Sequence, residues 1–509
     1  MKNVDLAIIG GGPAGLCAAI SAASSGANVL IIERNKKLGG QLVKQTHMFF
    51  GSEKQHAATR GFDISNLLLD ELDKYKDKIE IMEDTTALGL YEDGILTLEN
   101  KGNYMKINPS SIIVATGASE KALAFPNNDL PGVYGAGAVQ TLMNVYGVKP
   151  GDKALMVGAG NIGLIIAYQL MQAGVHVAAV IHHSPRIGGY YVHASKLERM
   201  GVPIYTNHAI KEAVGKDKVE KAIIWELDSK KEPVKGSEKE LDVDVICISV
   251  GLSPLVELLT QAGCEMKYSR ELSGIVPVID EDYETTVNGI FVAGDAAGVE
   301  EASAAMVEGY IAGLSAAKYL GHIHENYENL KEDYKAQLIA LRNGPVGLNR
   351  RIDKPSKEIV MEKFPSIERI NKGPVAVIEC FQNIPCNPCT TSCNRHAMRL
   401  MEDINYIPSL DAEICNGCAI CAVKCPGLAI MVVDGSYSQD KALFKIPYEF
   451  LPLPEEGDIV RGLNRDGEYI TDVEVIKVFN PKSFDKTPLV QVAVDKDYLY
   501  DFRNIGLEV

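Results

Sequence analysis

Two glycine loops constrain this chain more than anything else in it. Gly10 to Gly15 and Gly158 to Gly163 both spell G-x-G-x-x-G, and they begin 148 residues apart. Each follows a short apolar run that reads as a buried strand, residues 5–9 and 153–157, and each opens an apolar stretch that reads as a helix. A further strand follows in both cases, 28–32 and 175–181, and then a double glycine, Gly39-Gly40 and Gly188-Gly189. The repeat reads as an internal duplication of a βαβ nucleotide-binding unit. In the first copy Gly10 permits the tight turn, Gly12 lets the backbone approach a pyrophosphate, and Gly15 lets helix and sheet pack closely. The helix that starts at Pro13 and Ala14 offers free N–H groups to phosphate. Glu33 lies 18 residues past Gly15, at the end of the second strand. A carboxylate there accepts hydrogen bonds from both ribose hydroxyls. The plain alternative is a glycine-rich turn without a ligand.

Composition removes several classes. Hydrophobic residues are 46% and charged residues 23% of the 509, which is globular and not disordered. The net charge of −16 repels phosphate backbones, so no nucleic-acid partner is expected. The N-terminal run DLAIIGGGPAGLCAAISAA carries Asp5, a glycine cluster and Pro13, so no membrane span is expected. No secretory signal is read there either, and a reducing, cytoplasmic compartment is expected.

Eight of the eleven cysteines fall between Cys380 and Cys425. Cys17, Cys247 and Cys264 sit in apolar stretches and read as inert core thiols. A dense block in a reducing compartment points to metal, not to disulfides. Cys415-x2-Cys418-x2-Cys421-x3-Cys425-Pro426 reproduces the run of bacterial [4Fe–4S] ferredoxins. Structural zinc is the alternative, but it usually takes two C-x2-C pairs a dozen or more residues apart. Upstream, Cys380-x5-Cys386-x2-Cys389-x3-Cys393 lines up with that run, as in two-cluster ferredoxins. That resemblance implies crosswise ligation: Cys415, Cys418 and Cys421 with Cys393, and Cys380, Cys386 and Cys389 with Cys425. One cluster plus unused cysteines is the alternative. The first gap is x5, and Asn394 stands where a proline follows in ferredoxins. His396 reads as a surface or packing histidine.

GGGPAG, then Glu33-Arg34, Gly39-Gly40-Gln41-Leu42, Ala115-Thr116-Gly117 and Ala293-Gly294-Asp295 resemble the two-dinucleotide-domain flavoproteins, in particular the thioredoxin-reductase-like branch. The resemblance covers about residues 1–325. It implies FAD on the first domain, with Gly10, Gly12, Pro13, Ala14, Gly15, Glu33, Arg34, Gly40, Gln41, Ala115, Thr116, Gly117, Gly294, Asp295 and Ala302 in its site. Asp295 is implied to bond the ribityl and pyrophosphate side, and Glu301-Ala302-Ser303 to approach the isoalloxazine. Lys44 and His47 follow the segment placed near the flavin and are candidates for proton transfer. The alternative for both is an ordinary loop side chain. Disulfide reductases of this family carry a cysteine pair after the first double glycine or in the second domain. Here the first position reads GGQLVKQTHMFF, and Cys247 and Cys264 form no C-x-x-C. Electrons from the flavin then need another route, and the cysteine block offers one.

The second loop, with Gly158, Gly160, Asn161, Ile162 and Gly163, is where the family places NADPH or NADH. The acid that would hold an NAD ribose is absent: aligning the double glycines lands on His182. The relatives' basic IHRR segment, which meets a 2′-phosphate, reads Ile181-His182-His183-Ser184-Pro185-Arg186 here. NAD(P)H at His182 and Arg186, an adenine nucleotide, and an empty domain all stay open. Tyr190 and Tyr191 read either as stacking partners of a nicotinamide or as core.

The expected fold is α/β. Two Rossmann-like dinucleotide-binding domains occupy 1–127 with 275–325 and 128–274, and a connecting arm occupies 326–372. A small α+β ferredoxin-like iron–sulfur domain follows at 373–435 and a C-terminal β domain at 436–509. Without a disulfide the architecture is similar to the alpha-type subunits of dye-linked proline dehydrogenase, opine oxidase, hydrogen cyanide synthase and sarcosine oxidase. That implies an electron-transferring subunit with FAD and two [4Fe–4S] clusters, in an oligomer with a second flavoprotein dehydrogenase subunit or a ferredoxin. A self-sufficient NAD(P)H:acceptor oxidoreductase is the alternative, and a non-enzymatic iron–sulfur scaffold is a third class.

Overall fold

A computed structural model describes residues 2–344 and 354–506. The chain divides into two compact units, one of Met1–Phe49, Lys54–Lys121 and Gly251–Asn343, the other of Phe50–Glu53, Ala122–Val250 and Gly344–Val509.

In the first unit the strands Ile79–Met82, Val29–Ile32, Lys2–Ile9 and Asn103–Val114 lie parallel in that order. Ile290–Val292 joins Asn103–Val114 in parallel register, and the antiparallel strands Leu96–Asn100 and Thr85–Leu90 extend the sheet. The central strands are apolar at successive positions because both faces of a parallel sheet are covered. One cover is the pair of helices Pro13–Ser24 and Ala302–Tyr319, whose alanines and glycines allow close approach. The parallel strands end together at Ile9, Ile32, Val114 and Val292, so the loops that follow them share one edge. Ligands of open α/β sheets bind at that edge.

The second unit repeats the plan. Ile204–Thr206, His176–His182, Lys153–Val157, Val245–Ile248 and Val133–Gly135 form a five-stranded parallel sheet. A second sheet of seven antiparallel strands runs Val375–Ile378, Ile430–Asp434, Lys441–Pro447, Leu489–Asp495, Tyr469–Phe479, Ile459–Leu463 and Asn504–Gly506. The expected division into a cysteine domain at 373–435 and a β domain at 436–509 differs from this. The strands on either side of the cysteines, Val375–Ile378 and Ile430–Asp434, pair with each other, the second also pairs with Lys441–Pro447, and all seven share one sheet. Their core is continuous with the second dinucleotide fold: Leu164, Leu170 and Leu197 pack in one cluster with Phe444, Val490 and Phe502.

The other boundaries move as well. Residues 251–274 and the helix Tyr327–Arg342 pack with the first unit, and the breaks fall at 121/122 and 250/251. The expected connecting arm is helical at both ends, with Lys357–Glu362 and Ile367–Asn371 at its far end. Its middle, 345–353, lies outside the described residues. Among the described residues no helix is long and apolar enough to cross a membrane.

Candidate flavin, nucleotide and cysteine sites

Gly10 leaves its strand at φ +112°, and its N–H bonds the Ile32 carbonyl at 2.9 Å. A Cβ there would lie 2.3 Å from the Ala115 carbonyl oxygen, and one at Gly15 would lie 1.8 Å from that of Gly10. Only hydrogen fits at either position. Glu33 is buried, and its two oxygens are already engaged. Oε2 accepts the Gly11 N–H at 2.8 Å, while Oε1 accepts the Asn35 N–H at 2.8 Å and its Nδ2 at 2.6 Å. These bonds hold the carboxylate at the loop as an acceptor. The double glycine folds back over the loop: Gly39 N–H bonds Gly11 O at 2.8 Å, and Gly40 faces Gly12 so closely that a Cβ would sit 2.7 Å from its Cα. That leaves bare backbone where a pyrophosphate would lie. Arg34 and Gln41 are exposed, and Ala115 is buried. Thr116 Oγ1 bonds the Leu255 carbonyl at 2.7 Å, and Gly117 has open space beside it.

The strand Ile290–Val292 leads into Gly294 and Asp295, with Ala302 at the start of the next helix. Burial pushes Asp295 up from 3.8 to about 6; the Glu301 and Glu300 carboxylates add to this, and the Glu300 N–H, 3.4 Å from Oδ1, opposes it. A carboxyl raised by folding contributes most when protonated, and that contribution is lost as pH rises through about 6. In the FAD-free protein, Asp295→Asn is therefore expected to gain stability over wild type between about pH 5 and about pH 7. Urea midpoints at the two pH values measure this, and a constant difference would remove Asp295 from the account.

Behind this turn lies a group that the sequence reading missed. Glu308 is buried, and its Oε2 accepts the Gly294 N–H at 2.7 Å. Arg342 Nη2 donates to Glu308 Oε1 at 2.6 Å and to the Tyr283 hydroxyl at 3.0 Å, while its Nε reaches both Glu300 oxygens at 3.0 Å. Burial, then Glu300, push Glu308 up to about 8, and Arg342 opposes them. The available signal was one carboxylate inside the otherwise uncharged helical run ASAAMVEGYIAGLSAA. Lys44 and His47 belong to the same unit. Burial pushes Lys44 down, opposed by Glu120, and the His47 ring stacks on Phe49 at 5.3 Å.

The second glycine loop repeats the main backbone bonds of the first. Gly158 N–H meets Ile181 O at 2.8 Å, and a Cβ at Gly158 would lie 2.0 Å from Ser249 O, or at Gly163 2.1 Å from Gly158 O. Gly188 and Gly189 donate to Ala159 O at 2.9 and 3.0 Å. His182 takes the place of Glu33: its Nδ1 accepts the Ala159 N–H at 3.3 Å. Asn161 Oδ1 accepts the Tyr190 N–H at 2.7 Å, which ties the helix start to the double-glycine strap. Ile162 and Arg186 are exposed, and His183 lies against His182 with ring centroids 4.8 Å apart. Tyr190 and Tyr191 are buried in the core, Tyr190 edge-on to Phe50 at 5.3 Å.

The eight clustered cysteines fall into two groups. A cavity of about 160 Å³ is lined by Cys393, Cys415, Cys418 and Cys421 together with Met398 and Leu410. Burial pushes the Cys421 thiol up, and Cys415, Cys418 and Cys393 reinforce this in that order, ahead of Cys425. Around the other group, Cys380, Cys386 and Cys425 share an apolar cluster with Tyr190, Val192 and Ile384. Burial pushes Cys380 up to about 12 and Cys389 higher still, and in both Cys425 is the next cause. Two amides aim at sulfur, Met398 N–H at Cys393 Sγ (3.5 Å) and Ala429 N–H at Cys425 Sγ (3.4 Å). Among the described residues, no three His, Cys, Asp or Glu side chains converge tightly enough for a single metal ion. A donor set of four soft thiols around one cavity suits a cubane, whose ligands stand apart at its corners. His396 is exposed with φ +54°. Cys17, Cys247 and Cys264 are buried in the core, and Cys264 Sγ lies 3.4 Å from Thr285 Oγ1.

The family model for pyridine nucleotide-disulphide oxidoreductases matches residues 4–309, more than half of the chain. A component of the opine oxidase of Agrobacterium tumefaciens (strain Ach5), named as one of its subunits, is 28% identical over 61% of this chain and 65% of its own length. The alpha subunit of sarcosine oxidase from Rhizobium meliloti (strain 1021) is also 28% identical, over 63% of this chain and 31% of its own. The chain thus spans less than two thirds of either relative. Among solved structures, L-proline dehydrogenase from P. horikoshii is similar at 23% identity and a TM-score of 0.51, covering 75% of this chain and 64% of that one. Thioredoxin reductase from T. acidophilum, also 23% identical, reaches a TM-score of 0.52 over 62% of this chain and 99% of its own. At that identity the two structures show the fold: a mixed α/β dinucleotide-binding architecture.

Proposed function

This chain belongs to the pyridine nucleotide-disulphide oxidoreductase family and is an FAD-dependent oxidoreductase, and from that premise we propose that it is the electron-transferring subunit of an amine or amino-acid dehydrogenase complex, carrying two [4Fe–4S] clusters. FAD takes up an electron pair and releases single electrons, which is what a flavin placed ahead of one-electron clusters requires. The observation that carries this reading is the four-cysteine cavity, because it gives electrons from a flavin without a disulfide partner somewhere to go. Gly12 and Gly40, packed on each other, would offer the pyrophosphate bare backbone, Glu33 would orient the ribose, and Asp295 would meet the ribityl side. Cys393, Cys415, Cys418 and Cys421 would hold one cluster, and Cys380, Cys386, Cys389 and Cys425 the other. The names of the opine oxidase and sarcosine oxidase relatives, both given as subunits, support a partner that oxidises the substrate. A ferredoxin is the other partner that this chemistry suits.

One observation favours a second reading, the NAD(P)H:acceptor oxidoreductase. The second glycine loop repeats the strand-end and double-glycine backbone bonds of the first, which supports a phosphate cradle there. What differs at the position proposed to meet a ribose is the side chain, since an imidazole replaces the carboxylate. An anaerobic optical titration with NADPH and then NADH decides between the two. On the complex-subunit reading neither bleaches the flavin band, dithionite does, and the substrate enters through a partner. Rapid stoichiometric bleaching by either nucleotide would overturn it in favour of the second reading.

A further inference from the structure

Deep in the second unit a group of cations gathers behind the cysteine block. Lys196, Arg199 and Arg503 are 5%, 6% and 2% exposed. All three point at the loop that follows Cys425. Lys196 Nζ donates to Pro426 O at 2.7 Å, and Arg199 Nη1 and Arg503 Nη2 both donate to Leu428 O at 3.2 Å. Glu379, which is 7% exposed, binds Arg503 Nε at 2.6 Å and also takes Arg465 Nε at 2.9 Å. Its neighbour in sequence is Cys380. Positive charge is thus concentrated on the Cys425 loop, in a dry interior where charge is costly unless it is balanced. An external anion has no room here. The cavity between Lys196, Arg199, Arg503 and Tyr168 measures about 10 Å³, which holds at most one water.

A matching negative charge has a place at Cys425 itself, the residue before Pro426, whose thiolate would act on the Arg199 guanidinium. A cubane with four thiolates is a dianion when oxidised and gains one more negative charge on reduction. Resting on the cluster reading above, we propose that Lys196, Arg199 and Arg503 are tuning cations for the centre held by Cys380, Cys386, Cys389 and Cys425. They balance its charge and favour its reduced form, since net charge around a cluster sets its potential. They act through the loop carbonyls and touch no reacting atom, so they are positioning residues.

The test is an EPR-monitored redox titration of the full chain, purified anaerobically, in wild type, R199M, R199K and K196M. R199M is expected to lower the reduced-to-oxidised ratio of one cluster about tenfold at fixed potential, which is about 59 mV for one electron. The shifted signal should be the one that C425S abolishes, with the second cluster unmoved. R199K restores the wild-type value because the charge, not the shape, is what acts, and K196M shifts the same signal in the same direction. Two cluster signals that titrate unchanged in R199M and K196M overturn the tuning role and leave the cluster reading standing. Variants that fold by circular dichroism but take up no iron also overturn it, in favour of a purely structural role. Wild type without any cluster signal overturns the cluster reading itself.

Discussion

Replacing Arg342 by methionine is expected to weaken the first unit's hold on FAD and, above about pH 8 where Glu308 is ionised, to destabilise the unit by about 3 kcal/mol. Removing one partner of a buried ion pair costs about 3–5 kcal/mol because the other is left charged and dry. The lower end applies because the Arg342 side chain is 41% exposed while that of Glu308 is 3% exposed. Without the guanidinium, Glu308 keeps only the Gly294 N–H and the Tyr283 hydroxyl among its stated partners. Its pKa, already pushed up to about 8 by burial, rises further. A carboxyl raised by folding contributes below its unfolded pKa and loses that contribution as pH rises through the folded value. The destabilisation by Arg342→Met therefore grows with pH through and above 8. Adding Glu308→Gln should recover much of the loss, since a neutral amide needs no counter-ion. Urea midpoints across that range measure the stability, and flavin retained on gel filtration measures the cofactor. A loss that is flat with pH and not relieved by the double variant would reduce the pair to surface decoration. The ion pair meets the proposed flavin site here: the same carboxylate bonds the amide of Gly294, the residue before Asp295.

The sequence disclosed the parts of this protein whose cause is local. A strand–glycine–helix signal exists because a Cβ at Gly10 or Gly15 would meet a carbonyl oxygen, and no other residue avoids that. The two-copy plan was legible for the same reason, down to the position of His182 opposite Glu33. The spacing of Cys415, Cys418 and Cys421 was legible because it is local to seven residues of chain. What stayed hidden depends on pairing across long stretches of chain. Alternation marks Tyr469–Phe479 and Leu489–Asp495 as strands, but a period of two does not say that Val375–Ile378 lies in the same sheet. The charged stretch after 326 looks solvated from its composition. Only its register on the preceding helix shows that Arg342 reaches inward to Glu308. Lys196 and Arg199, in SKLERM, resemble any charged helix end until the Pro426 and Leu428 carbonyls appear beneath them.

The crosswise grouping of the cysteines leads to the largest expected change. Cys393→Ser and Cys418→Ser are expected to abolish the same cluster signal and about half of the bound iron, while Cys425→Ser abolishes the other signal. Serine keeps the shape but offers a hydroxyl that stays protonated where a thiolate is needed. Sequence order alone would group Cys393 with Cys380, Cys386 and Cys389. The fold instead turns it into the cavity of Cys415, Cys418 and Cys421, and brings Cys425 to the other three. Metal binding and folding are coupled, so each loss should also lower the melting temperature. The fall should be smaller for Cys418→Ser, whose side chain is exposed at the rim, than for Cys425→Ser, which sits against the buried Tyr190 cluster. Iron analysis and low-temperature EPR of dithionite-reduced protein read the outcome. Loss of one common signal in Cys393→Ser and Cys389→Ser, with the Cys418→Ser signal separate from both, would mean that each cluster is ligated by its own consecutive run. The cations behind the Cys425 loop would then act on the cluster of Cys415, Cys418 and Cys421 instead.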